Sequence, residues 1–163
     1  MPSPKTQSDD EVRGDPLALE RQVCFALAVA SRSVLSIYRP LLEPLGLTHP
    51  QYLVMLALWG QSPLAVKDLG NALQLDSATL SPLLKRLAAA GLISRTRSAV
   101  DERRVDIELT SAGRGLRTKA LTIPPAVIAA LGMPIVELES LHRALTRVIT
   151  AAVESDGRPP AGP

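Results

Sequence analysis

Two sets of residues in this sequence could do chemistry, one ionic and one redox. Six cations, Lys85, Arg86, Arg95, Arg97, Arg103 and Arg104, stand against Asp101 and Glu102, a net charge of +4 in twenty positions. The first twenty residues carry −3, and the whole 163-residue chain only +2 with a pI near 9.0. Clustered cations of this kind neutralise phosphates, the main source of affinity for nucleic acid. Just upstream, Ser77, Thr79 and Ser81 offer short hydroxyls that can reach phosphates and base edges. The redox candidate is Cys24, the one cysteine of the chain, which excludes an internal disulfide and fits a reducing cytoplasm. A free cysteine is most often a small buried hydrophobe. Cys24 adjoins Val23 on an apolar stripe, so its position alone leaves both roles open.

The ionic set sits on a recognisable run of elements. Leu64–Leu73 reads as a helix, and Asp76 caps a second helix reaching Ala90 by accepting an orphan amide of its first turn. Leu80, Leu83, Leu84 and Leu87 form that helix's buried stripe. Pro82 breaks a local rule, since an interior proline removes a hydrogen bond. Gly91 suits a left-handed helix end. Two strands follow, Leu92–Arg97 and Arg104–Leu109, the second alternating Val105, Ile107 and Leu109 with Arg104, Asp106 and Glu108. Their tip, residues 98–103, is polar. Helix, tight turn, helix and a cationic hairpin make a winged helix-turn-helix, and so predict binding to duplex DNA.

The flanks are helical. A long helix is expected from Asp15-Pro16 to about Pro40. Thr48 and Gln51 form a capping box for a nearly all-apolar helix over Pro50–Trp59. After the hairpin, Thr110 or Ser111 caps a helix that is interrupted at Ile123-Pro-Pro-Ala126, and a last helix starts at Gly132-Met-Pro134. The apolar stripes at both ends have no third layer to cover them, which favours a twofold dimer with two reading helices about one duplex turn apart. The expected organisation is a disordered tail (1–14), N-terminal dimerisation and sensor helices (15–60), the DNA-binding module (61–110), C-terminal dimerisation helices (111–154) and a second tail (155–163). The overall class is mainly α with a small β-hairpin wing. The acidic start does not resemble a signal peptide, and no charge-free apolar run is long enough for a bilayer. No cysteine/histidine cluster, phosphate-cradling loop or repeat is present, so no metal or cofactor is expected.

The runs Asp76-Ser-Ala-Thr-Leu-Ser-Pro-Leu-Leu-Lys-Arg-Leu87, Gly91-Leu-Ile-Ser-Arg-Thr-Arg-Ser98 and Asp101-Glu-Arg-Arg104 resemble the MarR family of bacterial transcription regulators. Val23-Cys-Phe25, Tyr38-Arg-Pro-Leu-Leu42 and Leu47-Thr-His-Pro-Gln-Tyr-Leu53 are similar to its organic-hydroperoxide-sensing branch, the OhrR repressors. The likeness covers roughly residues 17–150. It implies a homodimeric, non-enzymatic repressor released from operator DNA when Cys24 is oxidised. It places Arg103 in the minor groove and makes Asp101 a brace of the wing through a neighbouring arginine. It also implies two tyrosines of the other subunit on the reactive thiol. Tyr38 matches the first; it cannot serve its own Cys24, since fourteen residues of one helix span about 21 Å. The second falls on His49, a departure from the pattern. Its imidazole either donates to the thiolate or is a plain first-turn residue, in which case Tyr38 and Tyr52 serve.

With one cysteine, a sulfenic acid must be resolved by a small cellular thiol, a backbone amide or Cys24 of another chain; the resemblance favours a mixed disulfide with a small thiol. Two other functions are compatible with the residues. One is a regulator of the same fold gated by a phenolic or carboxylate ligand, with Cys24 incidental. The other is a thiol-dependent peroxidase built on Cys24 and His49, which lacks a third orienting residue.

Overall fold

The computed structural model describes residues 15, 17–97 and 104–155. Both expected tails therefore lie outside the described residues, except Ser155, which closes the last helix. The chain divides into two compact units, residues 1–36 and 37–163.

The first unit holds a 3-10 turn, Leu19–Arg21, and the start of helix α1, Val23–Leu42. The expected helix start at Asp15-Pro16 is displaced by eight residues. Asp15 does accept the Leu17 amide at 2.8 Å, so the local capping chemistry is real. Gln22, however, has an extended backbone (φ −79°, ψ 115°) that no continuous helix can contain. Val23–Leu45 is long and apolar enough, by length and composition, to cross a membrane, although Arg32, Arg39 and Glu43 interrupt it.

The second unit carries the core. Helix α2, His49–Gly60, starts at the expected capping box: the Thr48 amide donates to Gln51 Oε1 at 2.8 Å. Strand β1, Leu64–Ala65, leads into α3, Val66–Leu73, and α4, Ser77–Ala89. Strands β2, Ile93–Arg97, and β3, Val105–Leu109, complete an antiparallel sheet in the order β1-β3-β2. The helix expected over Leu64–Leu73 is thus shortened at its start, because Leu64 and Ala65 pair with Ile107 and Asp106. The hairpin accordingly gains a third strand.

Helix α5, Ser111–Ala120, is capped by Thr110, whose hydroxyl accepts the Gly113 amide at 3.0 Å. The expected interruption falls at Leu121-Thr122, just ahead of Ile123-Pro-Pro-Ala126, and the prolines open the helix that follows, α6, Ile123–Leu131. First-turn amides have no intrahelical acceptor, so proline loses nothing there. Gly132 ends α6 at φ +62°, and α7, Ile135–Ser155, follows. The core joins α2, the inner faces of α3 and α4, the sheet and α6, with Val54, Met55, Leu69, Leu84, Leu87 and Ile107 fully enclosed. It is almost wholly aliphatic.

Candidate nucleic-acid interface and aromatic cluster

Helix α4 is held at both ends by local chemistry. Asp76 Oδ1 accepts the Thr79 amide at 2.7 Å. The turn before it is tight: the Leu75 amide donates to the Gly70 carbonyl at 2.9 Å. A Cβ on Gly70 would meet Leu75 O at 3.0 Å. Gly91 closes the far end at φ +71°. Leu80, Leu83, Leu84 and Leu87 are buried, which leaves the opposite face of α4 open. At about 100° per residue, Ala78, Ser81, Pro82 and Lys85 occupy the middle of that open face, with Ser77, Thr79 and Arg86 at its edges. All seven are exposed. The exposure also explains Pro82. The donor it lacks would have served the Ala78 carbonyl, and that carbonyl lies on the watered side of the helix.

Arg95 and Arg97 project from β2, cross-strand from Ile107 and Val105, and are exposed. Arg103 and Asp101, expected as minor-groove residue and brace, lie outside the described residues. Arg104, the last of the expected DNA-facing cations, stands between two carboxylates. Its Nε donates to Asp106 Oδ1 at 2.8 Å, and its guanidinium stands 3.6 Å from Asp68 Oδ2 on α3. Two carboxylates therefore offset its charge. Pairs this exposed add little stability, on the order of 1 kcal/mol or less, but they tie the base of the hairpin to α3.

The redox set is divided between the units. Cys24 is free and exposed in the first turn of α1, so it is not a packed core thiol within this chain. Tyr38, His49 and Tyr52 come together in the second unit. The Tyr38 and His49 rings meet edge to face at 4.8 Å, and Tyr38 lies 6.0 Å from Tyr52. Tyr52 is buried and touches Trp59 edge to face at 6.2 Å. Trp59, which the sequence did not single out, donates its indole N–H to the Gly113 carbonyl at 2.9 Å. Burial pushes the His49 imidazole below its ordinary pKa of 6.5, which favours the neutral ring. Burial, and then the neighbouring Tyr38, push the Tyr52 phenol above its ordinary value. No group of three or more metal-ligating side chains exists among the described residues.

The profile of the transcriptional regulators SarA/Rot matches residues 36–119. The organic hydroperoxide resistance transcriptional regulator of Bacillus subtilis is 44% identical over 135 residues, 83% of this chain and 92% of that one. The chain belongs to the SarA/Rot/MarR family of transcriptional regulators.

The regulator TtmR of Methylorubrum extorquens is 47% identical over 129 residues, 79% of this chain and 66% of its own length. Among solved structures, reduced AbfR bound to DNA superimposes with a TM-score of 0.69 at 31% identity, covering 83% of this chain and 94% of that one. AbfR is also solved overoxidised on DNA and in a disulfide form. The fold is thus the MarR-type winged helix of DNA-binding regulators, and the relatives are regulators rather than enzymes. The family context also makes the apolar surface of Val23–Leu45 that of a soluble protein's helix, not of a bilayer span.

Proposed function

We propose that this MarR-family protein is a redox-sensing repressor. In this reading it binds operator DNA in the cytoplasm as a homodimer and lets go when an organic hydroperoxide oxidises Cys24. The observation that carries the reading is the 44% identity, over 83% of the chain, to a regulator named for organic hydroperoxide resistance. An exposed Cys24 is compatible with it, since a peroxide must reach the sulfur.

The chemistry balances with one cysteine. The Cys24 thiolate attacks a peroxide oxygen, the S–O bond forms as the O–O bond breaks, and the alkoxide leaves as an alcohol after taking a proton. The resulting sulfenic acid then meets a small cellular thiol, giving a mixed disulfide and water. A second copy of the chain brings its Tyr38 and His49 to Cys24. His49 acts there as a neutral hydrogen-bond donor, because burial disfavours the imidazolium. Tyr52, enclosed behind Tyr38, supports that ring instead of touching the thiol. On DNA, α4 reads the major groove with Ser77, Thr79, Ser81, Lys85 and Arg86, while Arg95, Arg97 and the hairpin tip with Arg103 track the backbone and minor groove.

The test is a gel shift on the DNA upstream of the protein's own gene, with wild type and Cys24→Ser. Both should bind under reducing conditions, and cumene hydroperoxide should release only the wild type. Equal release of the variant would remove Cys24 from the mechanism. Release of both by a phenolic or carboxylate ligand without oxidant would identify a ligand-gated regulator instead.

A further inference from the structure

Between the helices and the sheet of the second unit lies a cleft of about 740 Å³. The first turns of α3, the start of α4, the middle of β2 and the start of β3 line it, with Lys67, Asn71 and Ser77 on the helix side and Arg95 on the sheet side. Leu80 and Val105 supply an apolar floor. When α4 occupies a major groove and the hairpin reaches the neighbouring minor groove, the strand separating those grooves must pass between helix and hairpin. This cleft is the space between them.

The charges suit a phosphate. Lys67 and Arg95 are exposed and form no ion pair among the described residues. The two carboxylates of the lining are already engaged, Asp76 by the Thr79 amide and Asp68 by Arg104. Arg104, which also lines the cleft, bridges α3 to the hairpin through Asp68 and Asp106.

We propose that this cleft seats one backbone phosphate of the duplex on Lys67 and Arg95, and that Arg104 positions the hairpin without touching DNA. The inference rests on the DNA-binding reading and is independent of Cys24. Lys67 has no part in the α4 and hairpin contacts described above.

The experiment is fluorescence anisotropy with the full-length reduced protein, on operator and unrelated duplexes, across a potassium chloride series. Lys67→Gln and Arg95→Gln should each lower the slope of log affinity against log salt by about 1.8, or about 0.9 for each subunit of the dimer, weakening both duplexes about thirtyfold at 150 mM salt. Lys67→Arg should restore the slope. Arg104→Gln and Asp68→Asn should weaken binding with the slope unchanged, as expected when hairpin geometry is lost but no phosphate contact is. An unaltered slope in Lys67→Gln or Arg95→Gln, a reduced one in Arg104→Gln, or a slope raised by about two in Asp68→Asn would overturn the proposal. A wild-type chain that binds neither duplex would remove the DNA-binding reading itself, an outcome visible in the same titration.

Discussion

Two glycines of α5 should respond to the same substitution in opposite directions. Gly113 is buried where the helix meets the root of the hairpin. An added Cβ would lie 2.0 Å from the Leu92 carbonyl oxygen and 3.2 Å from Leu109 Cδ2, far inside the roughly 3.5 Å of ordinary contact. Relief requires α5 to lift off the sheet or the Leu92 carbonyl to turn away, and that carbonyl accepts the Thr110 amide at 3.1 Å. Overpacking of about 2 kcal/mol and a hydrogen bond of about 1 kcal/mol together give about 3 kcal/mol of destabilisation for Gly113→Ala. That is a fall in Tm of about 6–12 °C for a chain of this size. Gly115, two residues on, has nothing within 4 Å of its would-be Cβ. Gly115→Ala should gain about 0.5–1 kcal/mol from reduced unfolded-state entropy, a rise of about 1–4 °C. Melting followed by circular dichroism at one fixed protein concentration checks both. A Gly113→Ala protein melting within 2 °C of wild type, or above Gly115→Ala, would refute the packing assigned to the α5–hairpin junction. Because Trp59 bonds the Gly113 carbonyl, the same variant should also disturb the indole fluorescence.

Asp76→Ala removes the α4 cap and should cost about 1 kcal/mol, while Asp76→Ser keeps most of it; thermal melts of the two variants compare them directly. The pH dependence follows from His49. Its folded pKa lies below 6.5, so the unfolded chain binds more protons just below that value, and stability falls as pH drops from neutrality through 6.5. Melts between pH 7.5 and 5.5 should show a smaller loss in His49→Gln than in wild type; an equal loss would place the titration elsewhere.

What was legible in the sequence was what neighbours in the chain decide. Asp76, the leucine stripe of α4 and Gly91 lie within sixteen residues of one another, and each describes the same helix. The alternation from Val105 to Leu109 reports a sheet with one buried face, as found. The errors arise where a distant partner decides. Leu64 and Ala65 look like the first residues of a helix, and only pairing with Ile107 and Asp106, more than forty positions away, makes them a strand. The pairing of Arg104 with Asp68 of α3, thirty-six positions away, has no local signal either. Its pairing with Asp106 was visible, since Asp106 shares the polar face of the same strand two residues on. The prolines after Ile123 mark a helix break, but proline suits helix starts and follows helix ends alike, so the sequence leaves open that the break precedes them and that they fill the first turn of α6. Trp59 carried no local signal for its bond to Gly113, fifty-four residues away.

If Cys24 is the switch proposed above, the two ends of the chain bear on how much work its sulfur must do. In α7 no residue is buried, and Ile135, Val136, Leu141, Val148 and Ile149 are exposed. In the first turns of α1, Val23 and Phe25 flank Cys24 and are exposed as well. Helices are held mostly by packing of their apolar face, so in a homodimer the order of these helices and the pairing of subunits become one equilibrium, with a Tm that rises with concentration. Moving an operator complex from 99:1 bound to 99:1 released takes about 5.5 kcal/mol. Two symmetric sulfurs would then supply about 2.7 kcal/mol each. That is the range for leaving one or two buried polar groups unpaired, and under the proposed function a polar adduct on Cys24 between Val23 and Phe25 would do this once a partner covered them. No long relay is needed, provided the covered state of α1 is also the state that spaces the two α4 helices for DNA.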